Sequence, residues 1–303
     1  MGLLEQVPRD GPGGGEVSAI LVTYPLASFG LRAATALLPL LLAAPVLAQT
    51  PAGPELPLWE IGAVGFGVSQ QAWPGASEHV RRALVLPYVI YRGKYLRADR
   101  DNVGVRVVNK ERYELDVGFA GAFGSRASDT EARRGMPELG TLVEFGPRLK
   151  WNLDAEPGDG RLRADVALRG VFDLSDRLRY KGLSLEPRLV YERRGVGGWR
   201  YGAGVGPLLG NARLADTFYG VAPAYALPDR PAYAAKAGLI AWRLGVNASR
   251  ELTPDLRLFL VARVDSVADA ANRASPLVRQ THGGSVGVGL SYTFARSSQR
   301  ASD

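Results

Sequence analysis

Residues 285–294 read Ser-Val-Gly-Val-Gly-Leu-Ser-Tyr-Thr-Phe. Val286, Val288, Leu290, Tyr292 and Phe294 alternate with Ser285, Gly287, Gly289, Ser291 and Thr293. Successive side chains of a strand point to opposite faces. The segment therefore predicts a strand with one apolar face ending in aromatics and one small, weakly polar face. The same period recurs along the chain. It predicts twelve strands, at 60–68, 83–91, 94–99, 103–109, 112–123, 139–153, 161–172, 182–192, 198–208, 236–249, 255–266 and 284–294. In the first, Val64, Phe66 and Val68 share a face opposite Gly65 and Gly67.

The connections alternate too. Those at 92–93, 110–111, 154–160, 193–197 and 250–254 are short. Those at 69–82, 124–138, 173–181, 209–235 and 267–283 are longer, and 100–102 is the exception. Short turns at one end and long loops at the other, with an even strand number, predict an all-β, transmembrane, antiparallel up-and-down barrel. Such a barrel is apolar toward lipid and polar toward the lumen. If 94–109 forms a single strand the count fails, and ten strands become the alternative. Aromatics fall near predicted strand ends, among them Trp59, Trp151, Trp199, Trp242, Tyr292 and Phe294, as an interfacial girdle requires. A soluble β-sandwich would have to bury or solvate strand faces lined with Arg and Glu, and it leaves the small-residue faces unexplained.

The N-terminal region changes the compartment. Arg32 precedes an apolar run at 33–48 that ends Val46-Leu47-Ala48, which predicts a signal peptide cleaved after Ala48. The run is shorter than a membrane helix and carries Pro39 and Pro45. Residues 1–28 do not fit the start of a signal peptide, so translation is expected to begin near Val22. The predicted organisation is then an extension and signal peptide at 1–48, a Pro-rich lead-in at 49–58, the barrel at 59–294 and a tail at 295–303. With no cysteine, disulfides and Cys-based metal or redox sites are excluded. The net charge of +7 comes from Arg interleaved with Asp and Glu rather than from a basic patch, so nucleic acid is not an expected partner.

The segments 133–140 (Arg-Arg-Gly-Met-Pro-Glu-Leu-Gly) and 143–148 (Val-Glu-Phe-Gly-Pro-Arg) resemble the MipA/OmpV family of outer-membrane proteins. Leu86–Gly93, Thr217–Val221, Ser275-Pro276-Leu277 and the closing Tyr292-Thr293-Phe294 match as well, and the likeness covers most of 59–294. The resemblance implies a bacterial outer-membrane location and contact with its lipids. It also implies a scaffold that holds a peptidoglycan hydrolase (a lytic transglycosylase) and a peptidoglycan synthase. Members of the family have been regarded as porins or adhesins too. A departure is the chain's continuation at 295–303 beyond the final aromatic, so recognition by the insertion machinery is expected to use an internal Phe294.

Little in the chain suggests catalysis. The two histidines, His79 and His282, lie in predicted outer loops. Ser77, Glu78 and His79 are sequence neighbours with no reason to converge as a hydrolytic triad. No metal-ligand spacing appears, and Gly202-x-Gly204-x-Gly206 sits inside a strand with no helix after it. No enzyme activity and no cofactor are expected. The pattern that stands out is a ladder on four consecutive polar strand faces: Glu114 and Asp116; Glu144, Arg148 and Lys150; Arg163, Asp165 and Arg169; Glu186 and Arg188. Such a ladder either holds a narrow lumen shut through cross-strand ion pairs or lines a channel for small polar solutes. In a channel, Arg243, Arg257 and Arg263 would bias passage toward anions. Loops 124–138 and 209–235 are the candidates for an adhesive surface.

Overall fold

The computed structural model describes residues 57–92, 97–99, 102–104, 108–109, 112–122, 124–125, 130–154 and 160–299. The expected leader, its cleavage site and the lead-in up to residue 56 lie outside the described residues. Ten strands of ten to sixteen residues carry the fold. They are β1 (Trp59–Gln71), β2 (His79–Arg92), β6 (Tyr113–Ala122), β7 (Leu142–Asn152), β8 (Gly160–Asp173), β9 (Arg179–Arg194), β10 (Trp199–Gly210), β11 (Gly238–Glu251), β12 (Leu256–Ser266) and β13 (His282–Arg296). Between β2 and β6 stand three short pieces, β3 (Arg97–Asp99), β4 (Asn102–Gly104) and β5 (Val108–Asn109). Of the strands expected at 94–99 and 103–109, the described residues show pieces of two or three residues and the rest lies outside the described residues; the ten long strands match the alternative count.

All the strands belong to one sheet, in the order β4-β3-β2-β1-β13-β12-β11-β10-β9-β8-β7-β6-β5. Each neighbouring pair is antiparallel and, apart from β1–β13, consecutive in the chain. The β1–β13 pairing joins the first long strand to the last, as an up-and-down barrel demands. No ladder joins β4 to β5 among the described residues, so strand pairing does not close the sheet there, although β4 lies beside β6. The seam runs past Phe294. Ala295 and Arg296 pair with Ile61 and Glu60, Ser297 N–H donates to Trp59 O (2.9 Å), and Leu58 N–H donates to Gln299 O (2.8 Å).

Alternation fixes which side chains meet lipid. Leu149, Leu168, Leu189, Val205, Leu244 and Val288 all lie exposed on the outer face, while their sequence neighbours turn inward. Trp151, Trp242 and Tyr292 are exposed on that face, Phe294 is 64% exposed, and Trp59 and Trp199 are half-buried. Trp242 stands toward the long-loop end. The other five stand toward the short-turn end, where the chain also begins and ends its sheet.

The rule of apolar-out and polar-in fails on one side of the barrel. On β1 the face bearing Phe66 points inward, and Phe66 stacks on Phe259 of β12 with ring centroids 5.9 Å apart. Between them runs β13, whose inward residues include Gly287 and Gly289. A Cβ at Gly289 would lie 2.1 Å from the Phe259 ring, and one at Gly287 would lie 2.8 Å from the Phe66 ring. The glycines thus make room for two rings laid against the inner wall, and packing there replaces charge pairing.

Candidate functional site

The other side of the lumen carries the charges. Even positions of β7, odd positions of β8 and even positions of β9 point inward, because the three strands pair in antiparallel register. Arg148 reaches Asp116 through two hydrogen bonds (2.9 and 2.7 Å), the forked geometry that suits guanidinium and carboxylate. Lys150 bridges Glu114 (3.2 Å) and Asp116 (2.9 Å). Arg163 holds Asp165 (2.7 Å) and Glu192 (2.8 Å). Arg169 pairs with Glu186 (2.9 Å) and stands 3.7 Å from Glu144, which also accepts from Ser184 Oγ (3.1 Å). Arg188 stands 4.0 Å from Asp165 and 3.9 Å from Glu186.

The network extends beyond the ladder expected from the sequence. Arg243 on β11 contacts Glu186 (3.2 Å) and Asp265 (2.9 Å), and Arg263 contacts Asp265 (3.3 Å). Glu192 and Asp265 are the members that the ladder omits. Both are almost fully buried, and both lie at the inward parity of strands whose polar faces were already legible. Arg243, Arg257 and Arg263, set out above as an anion-selective lining, each have a carboxylate partner, Arg257 being bonded to Glu251. Burial of so many charges is tolerable only because they are paired.

Above this network the long loops fold together. Trp73, Leu214, Tyr219, Val267 and Leu277 are fully buried in one apolar cluster with Val171 and Ile240 from the strand ends. The cluster draws on the β1–β2, β6–β7, β10–β11 and β12–β13 connections, so it spans the mouth. Hydrogen bonds tie it across. Trp73 Nε1–H donates to Leu277 O (3.1 Å), Tyr219 O–H donates to Pro74 O (3.1 Å), and Ser275 O–H donates to Tyr219 O (2.7 Å). Glu131 N–H donates to Glu78 Oε1 (3.1 Å), joining loops that flank the two ends of the sheet.

Helix α1 (Ala212–Tyr219) organises the largest loop. The Asn211 side chain caps its start by accepting from Leu214 N–H (3.0 Å). Arg133 faces its other end, donating to the carbonyls of Thr217 (3.4 Å) and Phe218 (3.5 Å), where the helix dipole favours a cation. Its guanidinium also lies 5.6 Å from the Trp73 ring centroid. Burial, and then the neighbouring Arg230, lower the Arg133 pKa to about 10, against the pull of Asp216. Arg230 spends its donors on backbone too, reaching the carbonyls of Tyr225 (2.8 Å), Ala132 (3.1 Å) and Arg134 (2.8 Å). Beside these staples a cleft of about 650 Å³ opens between the 130–141 and 211–237 loops, lined by Met136, Asp216, Val221, Tyr225 and Tyr233 among others.

The remaining candidates do not assemble into a reactive site. Ser77 Oγ donates to Glu78 (3.0 Å), while the His79 ring bonds Gly284 O (3.0 Å). The His79 ring is thus engaged with backbone rather than with the serine. No cluster of three or more metal-ligating side chains occurs among the described residues.

A single antiparallel sheet, apolar toward its surroundings, joined first strand to last and lined inside by paired charges, defines an outer-membrane β-barrel. More narrowly, the chain belongs to the family described as MltA-interacting protein MipA, which matches residues 62–294. Among solved structures it is similar to a bacterial polysaccharide outer membrane secretin, at 8% identity over 80% of this chain and 100% of that one, with a TM-score of 0.41. It is also similar to outer membrane phospholipase A from Escherichia coli (13% identity, 82% and 96% covered, TM-score 0.33). A third similar structure is an outer membrane channel from Pseudomonas putida F1 (11% identity, 82% and 100% covered, TM-score 0.35). No curated protein sequence matches the chain.

Proposed function

We propose that the protein is a closed, non-catalytic outer-membrane scaffold that docks peptidoglycan-remodelling enzymes at its periplasmic end. The observation that carries this reading is the cap: four connections share one apolar core across the outer mouth, above a lumen lined on one side by ion pairs. A pore for polar solutes would need that core to open, and an adhesin would need its long loops free rather than folded over the barrel. The opposite end presents turns to the periplasm. Val196, 95% exposed, stands on the turn between β9 and β10, and Leu252 is exposed on the turn between β11 and β12. The family's printed name, an MltA-interacting protein, supports a protein partner of this kind.

Two measurements test it. Residues 49–303 refolded into planar bilayers should give no steady conductance steps. The full chain in detergent should retain a lytic transglycosylase together with a peptidoglycan synthase, and replacing Val196 with Asp should abolish retention. Steady, ion-selective steps that change in Arg169→Gln would establish the channel instead. Absence of binding with both enzymes present would remove the scaffold.

A further inference from the structure

The cap end of the barrel carries a second feature, on its outside. Phe145 of β7, Phe172 of β8 and Tyr180 of β9 form a continuous aromatic strip across three adjacent strands. Phe145 and Phe172 stack at 4.8 Å with their planes 14° apart, and Phe172 meets Tyr180 at 5.6 Å. The strip depends on an irregularity. The β8–β9 register shifts between Val171 and Phe172, and Gly182, at φ +135°, supplies a backbone that other residues rarely adopt. The shift sets Phe172 opposite Tyr180. Below, the strip continues into the lipid-facing Leu168 and Leu183, both exposed.

Above, it ends in cations. The Arg213 guanidinium lies over the Tyr180 ring, 5.4 Å from its centroid. Arg177 stands at the tip of the β8–β9 connection beside Leu178, which is 50% exposed, and both adopt left-handed backbone. Arg179, in the same tip, is paired with Asp176 at 3.1 Å. Arg177 and Arg213 have no carboxylate within 4.0 Å among the described residues. An apolar aromatic surface flush with lipid, topped at the headgroup level by two unneutralised guanidinium groups, suits an amphiphile that carries both acyl chains and phosphate. Its acyl chains would lie on the rings and its phosphate would meet the arginines.

We propose that this strip binds a phosphorylated, acylated glycolipid of the outer leaflet, with Arg177 and Arg213 holding its phosphate and Phe145, Phe172 and Tyr180 its chains. The cleft within the cap is less informative, because Asp216 and Glu138 share its lining with Arg133 and name no ligand charge.

The test is native mass spectrometry of the full chain in detergent, titrated with hexa-acylated, bisphosphorylated lipid A. Binding of one lipid per chain is expected, weakened tenfold or more in Arg177→Gln/Arg213→Gln and in Phe172→Ala. Arg134→Gln, which removes an exposed cap charge elsewhere, should leave binding unchanged. Dephosphorylated lipid A should bind as weakly as the double variant, and inorganic phosphate should not compete. Heat-modifiable mobility identifies the folded fraction of each variant. Undiminished binding by the folded double variant, equal binding of phosphatidylglycerol, or displacement by inorganic phosphate would each overturn the assignment.

Discussion

The lumen and the cap are built from the same strands by opposite rules. Within the membrane the outside of the wall is hydrocarbon, so apolar side chains serve the outer face and the inward positions of β6 to β9 carry Arg, Lys, Glu and Asp. Beyond the membrane the outside is water, and the inward positions become apolar. The change falls within one step of the alternation. On β7 it lies between Glu144 and Leu142, on β8 between Arg169 and Val171, and on β11 between Arg243 and Ala241; the last named of each pair is buried. Both regions are largely buried, but burial is stabilised by charge pairing in one and by hydrophobic packing in the other. The two should therefore fail separately.

The largest effect is expected at Glu186, which stands within reach of Arg169 (2.9 Å), Arg243 (3.2 Å) and Arg188 (3.9 Å). Glu186→Gln removes the carboxylate and leaves buried cations under-compensated, which costs about 3–5 kcal/mol. The urea midpoint of the heat-modifiable barrel should fall accordingly, and Glu186→Gln/Arg243→Gln should recover part of the loss. An unchanged midpoint in the single variant would mean that water, not protein, neutralises the lumen.

Leu277→Ala addresses the cap. Leu277 is fully buried, and its carbonyl receives the Trp73 indole. Truncation should cost about 3 kcal/mol, roughly a hundredfold in cap opening. Limited proteolysis within 211–237 reports the open population. The barrel midpoint should hold while cleavage accelerates, and conductance steps should appear in the variant alone. If barrel and cap lose stability together, the contrast between the two regions collapses into one cooperative unit.

The lumen was legible in the sequence because a strand has one period, so every second residue declares its face. The ten residues of the ladder all lie in the network for that reason. Glu192 and Asp265 were equally available at the right parity, Glu192 two residues from Arg194 and Asp265 two residues from Arg263. The cap was not legible. Loops carry no period, and nothing local says that Trp73, Tyr219 and Leu277, more than 200 residues apart at their extremes, share a core. Its one local signal was the apolar content of segments assigned to solvent. The inward Phe66 and Phe259 were missed for a related reason: glycines at 287 and 289 signal room for something, without naming what fills it.

The smallest effect, and the one that most sharpens the contrast, is expected at Tyr219. Its hydroxyl donates to Pro74 O across the mouth, and burial first, with Asp265 second, raises its pKa above the ordinary 10.0. A folded-state pKa raised in this way stabilises the closed cap fully below pH 10. The contribution fades as pH rises from 10 toward the folded value, because the open cap releases its proton first. Arg133 acts with the opposite sign over the same window. Its pKa is lowered to about 10 from 12.5, so its buried charge is relieved as pH climbs through that range. The two slopes oppose one another, and wild-type proteolysis against pH cannot separate them. Tyr219→Phe can. It should cost about 1 kcal/mol at pH 7, a severalfold rise in cleavage of 211–237. Above pH 10 the difference from wild type should shrink, since the open wild-type cap then ionises at Tyr219 and gains stability, while Arg133 is common to both. A difference that stays constant with pH would mean that the hydroxyl contributes packing alone, leaving the cap closed by apolar burial without this polar latch.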